Sequence, residues 1–282
     1  FNMKVIDLNY GLTNSNFKVA LDLDYPNQKN LYNQLNNNQI HEPPMVETIV
    51  ECVEPNKIFI DVGCHVGYFS LFARQKIGPH GYIYCFEPNP YSYKILVNNI
   101  ALNNYSNIFC FNCAVSNKLC VSNLNIIEYD EGLSTLCNVD DLEKCEAKHM
   151  YENKTNIDVI TDKLDDIIIN NIEDITLLKI DVEGYEEQVI SGAMQLINKA
   201  LPKNIIFEVN KSVPNQNSNQ LASILSLLEP LGYVPYIIHP WPATQDTMKY
   251  FNGKKYLPLS KFSNNQNIIY ANILMKNSVK LP

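Results

Sequence analysis

The sequence predicts an α/β protein built on a mostly parallel, doubly wound sheet of seven strands, with an antiparallel strand at its end. Three observations predict it. From Lys57 onward, short continuous apolar runs alternate with longer amphipathic segments, and runs with little polar alternation suit strands buried on both faces. The first run stops at an acid and turns through two glycines into a helix-like segment, "FIDVGCHVGYFS" (59–70), the usual ligand anchor of an open α/β sheet. A second acid closes the next run, in "YCFEPNP".

Along the chain, residues 1–55 read as a lead-in outside the core. "FKVALDLDY" alternates like a strand, "NQKNLYNQLNNNQ" reads as loop or linker, and "HEPPMVETIVECVEP" reads as a helix begun by two prolines and stopped by Pro55. Residues 56–282 form the main domain. Its strand runs are "IFIDV", "GYIYCFEP", "NIFCFNCAV", "ITLLKIDV", "NIIFEVN", "YVPYIIH" and "IIYANILM", and the last two resemble a hairpin closing one sheet edge. Helices are expected at "YFSLFARQKI", "PYSYKILVNNIAL", "EEQVISGAMQLINK" and "NQLASILSLLEPL". An insertion around 122–174 adds strand-like pieces, "SNLNII" and "NIDVIT", and the charged "DDLEKCEAKH"; it is expected to shape a substrate pocket.

Composition narrows the function classes. A net charge of -8 over 282 residues argues against nucleic acid as a partner, because phosphate-backbone affinity comes from clustered Lys and Arg. The apolar runs stay well short of the ~18 residues of a membrane span, and no basic-then-apolar leader opens the chain. A soluble, cytoplasmic protein is expected, with its eight cysteines reduced. Only Cys110 and Cys113 form a CxxC pair, with no second pair to complete a zinc site.

The glycine turn is not that of a dinucleotide-binding fold. His65 and Tyr68 stand where the second and third glycines of G-x-G-x-x-G belong, and Gly67 comes one place early. A histidine side chain would obstruct a pyrophosphate, so a ligand without one fits better. Glu87, twenty residues after Gly67, can accept hydrogen bonds from both hydroxyls of an adenosine ribose. Ribose without phosphates points to S-adenosylmethionine. A nicotinamide-dependent oxidoreductase and a non-catalytic or scaffold domain of a larger glycan-modifying enzyme are the alternatives.

The series "HEPPMV", "FIDVGCHVGYFSLFA", "YCFEPNPYSYKILVNNIALN", "NCAVSN", "LLKIDVEGYEEQVISGA" and "IIFEVN" resembles the FkbM family of S-adenosylmethionine-dependent methyltransferases over about Glu42 to Asn210. The block "KIDVEGYE" is the most specific. The resemblance implies a Rossmann-like class I methyltransferase fold and methylation of a hydroxyl group, often on a sugar, glycan or polyketide-like product. It implies that Asp61, Gly63, Cys64, Gly67 and Tyr68 in the first turn contact the cofactor. Glu87, Pro88 and Asn89 after the second strand, Ala114 and Val115 near the adenine, and Glu42 and Asp181 from either side complete that set. Two departures from the family pattern stand out: His41 replaces an aromatic residue before Glu42, and Cys64 replaces a small one in the turn.

Methylating an alcohol needs alignment of oxygen, methyl and sulfur, and a base or a metal to take or acidify the hydroxyl proton. Asp181, ending the strand "LLKIDV" at the crevice, is the leading candidate base or metal ligand; its alternative role is a helix N-cap, with Glu183 favourable near the helix start. Glu208, ending the next strand, would approach it. With Asn210 these acids could hold a hard divalent ion such as Mg, Ca or Mn, or act without metal as base and orienting group. Lys179 shares the strand face of Asp181 and could pair with it. His239 is a further candidate base if the "PWPATQDT" loop covers the cleft, and Trp241 in that loop suits a sugar ring or a lid contact. The expected partner is a small-molecule or glycan hydroxyl acceptor.

Overall fold

Alternating side chains of the apolar runs feed two separate cores, which is why the runs carry so few polar residues. Phe59, Leu177 and Ile206 face one core, while their neighbours Ile60, Leu178 and Phe207 face the other. The structure, a computed structural model, describes all residues except 1, 10, 12–15, 129, 139–152, 169–171, 211–218, 241, 243–247, 249–250, 263–269 and 280–282. Trp241 and the segment "DDLEKCEAKH" therefore lie outside the described residues.

The central sheet is built from β3 (Ile58–Val62), β4 (Tyr82–Phe86), β5 (Ile108–Phe111), β9 (Ile175–Ile180), β10 (Asn204–Asn210), β11 (Tyr233–Ile238), β12 (Tyr256–Pro258) and β13 (Tyr270–Asn277). Their spatial order is β12-β11-β13-β10-β9-β3-β4-β5. The pairs β10–β9, β9–β3, β3–β4 and β4–β5 are parallel, and β13 runs antiparallel to both β10 and β11. The strand order reverses between β3 and β9, so the crevice at their carboxyl ends is the expected ligand site. This is a Rossmann-like class I methyltransferase fold. Helices α2 (Pro43–Cys52), α3 (Tyr68–Ile77) and α4 (Pro90–Leu102) cover one face, and α5 (Leu164–Ile167), α6 (Glu186–Ser191), α7 (Met194–Ala200) and α8 (Gln220–Leu228) the other. Local chemistry starts two of them: Pro43 and Pro44 open α2, and the Asn89 side chain accepts the Tyr91 N–H to cap α4. Among the described residues no helix is long and apolar enough to cross a membrane.

Several sequence expectations are corrected. The sheet has eight strands rather than seven, because three residues of β12 add an edge beside β11. The last two apolar runs do pair, but β13 slots between β10 and β11 instead of closing an edge. The helix expected over "EEQVISGAMQLINK" breaks into α6 and α7 at Gly192, where a Cβ would overlap the Ser116 carbonyl. "NIFCFNCAV" also divides. Its tail, β6 (Ala114–Ser116), leaves the main sheet and joins the inserted strands β7 (Cys120–Ile127) and β8 (Lys154–Lys163) in a sheet of order β6-β8-β7.

The largest correction concerns the lead-in, which belongs to the core. "NQKNLYNQLNNNQ" contains a helix, α1 (Pro26–Asn36), whose Gln28, Leu31 and Leu35 are buried at helical spacing. Asn-rich sequence has little helix propensity, so this packing is what holds it. Before it, β1 (Met3–Leu8) and β2 (Phe17–Asp22) form a hairpin-like pair, and Leu8, Phe17, Val19 and Leu21 pack with α2, α3 and α4. The free edge of β2 is met by helix side chains. Asn99 on α4 accepts the Ala20 N–H (2.6 Å) and donates to the Ala20 carbonyl (3.1 Å), and Asn103, one turn on, does the same for Lys18 (2.7 and 2.7 Å).

Candidate active site

The turn after β3 is compact because it must clear the next strand. Gly63 has φ +75, and a Cβ there would overlap the Asp181 carbonyl oxygen at the end of β9. The Gly63 and Cys64 N–H groups both donate to the Phe86 carbonyl (2.9 and 3.1 Å). Gly67 precedes α3 at φ +84, with Leu96 Cδ1 only 2.6 Å from where a Cβ would sit. Two glycines are thus required by geometry.

Glu87, just beyond β4, is buried and aimed by backbone donors. Its Oε2 accepts the His65 N–H and its Oε1 the Asn89 N–H, both at 2.8 Å. Burial pushes its carboxyl above the usual range, against the nearby His65 and these two donors. Each oxygen keeps a lone pair, and Glu87, Gly63, Pro88, Ala114, Val115 and Asp181 border a cavity of about 50 Å³. Apolar Phe86, Val115 and Leu124 line its walls. Acceptor lone pairs beside apolar walls are the chemistry that would suit a nucleoside, its base against those side chains and its ribose at Glu87. Asn89 does not border the cavity; it holds Glu87 and starts α4.

A second, open cleft of about 330 Å³ adjoins it, and Gly63, His65, Gly132, Asp181 and Glu183 border both. Glu42, Cys64, Tyr68, Glu208 and Asn210 line this cleft. The Tyr68 hydroxyl accepts the His41 N–H (3.0 Å) and donates to its carbonyl (3.2 Å), fixing the segment that carries Glu42. Burial, helped by Asp181, raises the Glu42 carboxyl to about 7, with Lys179 opposing. Burial, helped by His65, lowers the His41 imidazole to about 4. Although His41 and Glu42 stand 3.7 Å apart, those values keep both largely neutral over the intervening pH range, so the contact is not a working ion pair.

Lys179 is the buried cation beneath the cleft. Its Nζ lies 3.1 Å from Asp181 Oδ2 and 3.5 Å from Asp61 Oδ1, and 5.1 Å from the Phe69 ring centre. Burial works against its charge, but Asp181 and Asp61 outweigh it and raise its pKa. Asp61 is wholly buried, takes the Ser70 hydroxyl (2.6 Å) and borders neither cavity; it anchors Lys179 rather than reaching a ligand. His239 also borders neither cavity. Its ring sits on Phe251 (4.7 Å) with Nδ1 at the Pro240 carbonyl (3.0 Å), and β13 separates its strand from that of Glu208.

Four residues contribute that sequence reasoning passed over or read differently. The carboxylates of Asp181, Glu183 and Glu208 converge, with one oxygen from each within 4.8 Å of the others. Burial and mutual repulsion raise Glu183 and Glu208 well above ordinary carboxylates. Glu186 fixes the loop carrying the first two: its Oε1 accepts the Val182 and Gly184 N–H groups (3.2 and 3.1 Å), and its Oε2 accepts from Gln220 (3.1 Å). His65 does more than block a pyrophosphate. Its Nε2 lies 3.7 Å from Glu131 in the inserted segment, too long for a good hydrogen bond, while Glu131 accepts the Asn27 and Gln28 N–H groups at the start of α1 (3.2 and 3.1 Å). Glu131 therefore ties the lead-in to the insertion and stands beside the glycine turn. The D-V-E-G-x-E spacing was the available signal for Glu183 and Glu186; Glu131 gave none.

Residues 61–235 match the family described as the methyltransferase FkbM domain. The chain belongs to the FkbM methyltransferase family. Among curated proteins it is 29% identical over 157 residues to methyltransferase sdnD of Sordaria araneosa, covering 49% of this chain and 60% of that protein. It is 26% identical over 245 residues to methyltransferase 1 of Beauveria bassiana, covering 83% and 95%. Among solved structures, the methyltransferase FkbM from Methylobacillus flagellatus matches at 14% identity with a TM-score of 0.46, covering 90% of this chain and 60% of that one.

Proposed function

We propose that this FkbM methyltransferase domain transfers a methyl group from S-adenosylmethionine to a hydroxyl of a sugar or glycan. The observation that carries the reading is the position of Asp181, which borders both the enclosed cavity and the open cleft. S-adenosylmethionine supplies an electrophilic methyl carbon on a sulfonium. Glu87 would hold the ribose hydroxyls, and the backbone at Gly63 would pass beneath the cofactor. Asp181, 3.1 Å from Lys179, would take the acceptor proton as the new C–O bond forms and the C–S bond breaks. The cleft's amides, Asn27, Asn30, Asn210 and Asn272, together with Glu42, offer donors and acceptors to a polyhydroxylated molecule, and such sites discriminate strongly for hydroxyl-bearing substrates.

The test is a mass-spectrometric screen of hydroxylated sugars with isotope-labelled S-adenosylmethionine. A labelled methyl ether is expected, and Asp181→Asn should lower turnover about 10²–10⁴-fold while leaving S-adenosylhomocysteine affinity nearly unchanged. Label on nitrogen or carbon acceptors alone would overturn the hydroxyl reading. Near-normal turnover in Asp181→Asn would remove it as base.

A further inference from the structure

We propose that Asp181, Glu183 and Glu208 form a site for one divalent, oxygen-preferring cation, of the Mg²⁺, Mn²⁺ or Ca²⁺ class, at the floor of the open cleft. The ligand set differs from the one the sequence suggests, because Glu183 joins the two strand-end acids. Its effect on turnover rests on the proposed methyl transfer; the binding itself does not.

Geometry is the first support. Ligand oxygens lie about 2.0–2.6 Å from such ions, so two oxygens sharing one ion are separated by at most about 4–5 Å. The three carboxylates already place one oxygen each within 4.8 Å of the others. Rigid elements hold them there: Glu208 lies within β10 opposite Asn272 of β13, and Asp181 directly follows β9. Glu183 is held by its left-handed backbone (φ +52), by the Glu186 bonds on either side, and by the Thr135 hydroxyl on its carbonyl (2.6 Å).

An independent observation points to a missing ligand. Glu208 is only 6% exposed, it lines the cleft, and its Oε2 is buried with no hydrogen-bond partner. Glu183, a half-buried residue, also has a buried Oε2 without a hydrogen-bond partner. Buried polar atoms are nearly always partnered, and two bare carboxylate oxygens in one cluster are costly. Lys179 does not satisfy them, since Asp61 and Asp181 already engage it. The donor set is all carboxylate, without sulfur or imidazole, which selects hard ions. Asn210 lines the same cleft and could add a carbonyl oxygen. A cation here would neutralise the cluster, turn it from repelling electron-rich acceptor oxygens to attracting them, and sit beside Asp181 where the proton must leave.

The experiment uses chelator-treated protein without methyl donor or acceptor, titrated with Mn²⁺ and followed by the electron paramagnetic resonance of free Mn²⁺. One site per chain is expected, competed by Mg²⁺ or Ca²⁺. Glu183→Gln and Glu208→Gln should each weaken it at least about tenfold, while Glu229→Gln, an exposed acid far along the chain, should not. Unchanged Mn²⁺ binding in both cleft variants, or no binding to the native protein at millimolar Mn²⁺, overturns the proposal. If the variants do not fold, anomalous diffraction from Mn²⁺-soaked native crystals decides: a peak among the three carboxylates supports the site, and a peak elsewhere or none overturns it. Because no turnover is measured, a protein that binds Mn²⁺ yet methylates no hydroxyl would fail the proposed function and keep this site.

Discussion

Glu87 is aimed by two backbone N–H groups, so its position does not depend on a ligand, and removing it takes away a candidate ribose acceptor along with the partner of the His65 and Asn89 N–H groups. Glu87→Ala is expected to weaken S-adenosylhomocysteine binding by about 1.5–3 kcal/mol, read by calorimetry on folded protein; unchanged affinity would place the ribose elsewhere. Two neighbours at the cleft mouth give opposite pH signatures. His41, held near pKa 4 against its ordinary 6.5, favours the folded state while neutral. That stability is complete above pH 6.5 and is lost as pH falls toward 4, by about 1–2 kcal/mol after allowing for a ring one-third exposed. Glu42, raised to about 7 from 4.5, does the reverse, and stability declines as pH rises through that interval. Urea unfolding across pH 4–8 should show His41→Gln flattening the acid side and Glu42→Gln the neutral side; parallel curves for native and variants would refute both assignments.

At the scale of elements, β2 is held by β1 along one edge and by α4 side chains along the other. Asn99→Ala would leave the Ala20 N–H and carbonyl and the Val66 carbonyl without their side-chain partner, a loss of about 2–4 kcal/mol. Hydrogen exchange should then speed up selectively over Phe17–Asp22; uniform change across the sheet would show that the amide ladder is not what holds the strand. Such pairings explain what was legible in the sequence. Strands β3, β4, β9 and β10 were readable because burial on both faces leaves unbroken apolar runs, and the acids and glycines at their ends were readable because strand ends carry the crevice. Helix α1 was not, because its three buried positions are diluted by asparagine and its first turn is capped from Glu131, over a hundred residues away. The link from His65 to Glu131 was equally invisible, since no local spacing encodes it. The break at Gly192 comes from the Ser116 carbonyl, again a long-range cause.

For the whole molecule, the net charge of -8 and the acid-lined cleft predict that RNA is not retained even at low salt, where phosphate contacts are strongest; tight, salt-sensitive binding in a filter assay would contradict this. The lead-in, the insertion and the sheet meet beside the cavity at Glu87, where Glu131 accepts two N–H groups of α1 and faces His65 at 3.7 Å. The place of β13 has a further consequence, one of timing. On the ribosome β10 and β11 emerge first, yet each must wait for the strand that will lie between them. Until synthesis reaches Asn277, the apolar edge of β10 that carries Glu208 has no partner on that side, and an open edge of this kind recruits other chains. The nascent protein thus passes through an interval in which the strand of Glu208 is unpaired on one side and its apolar edge is bare. Demand for chaperone holding should peak in that interval and end abruptly when the last strand zips in.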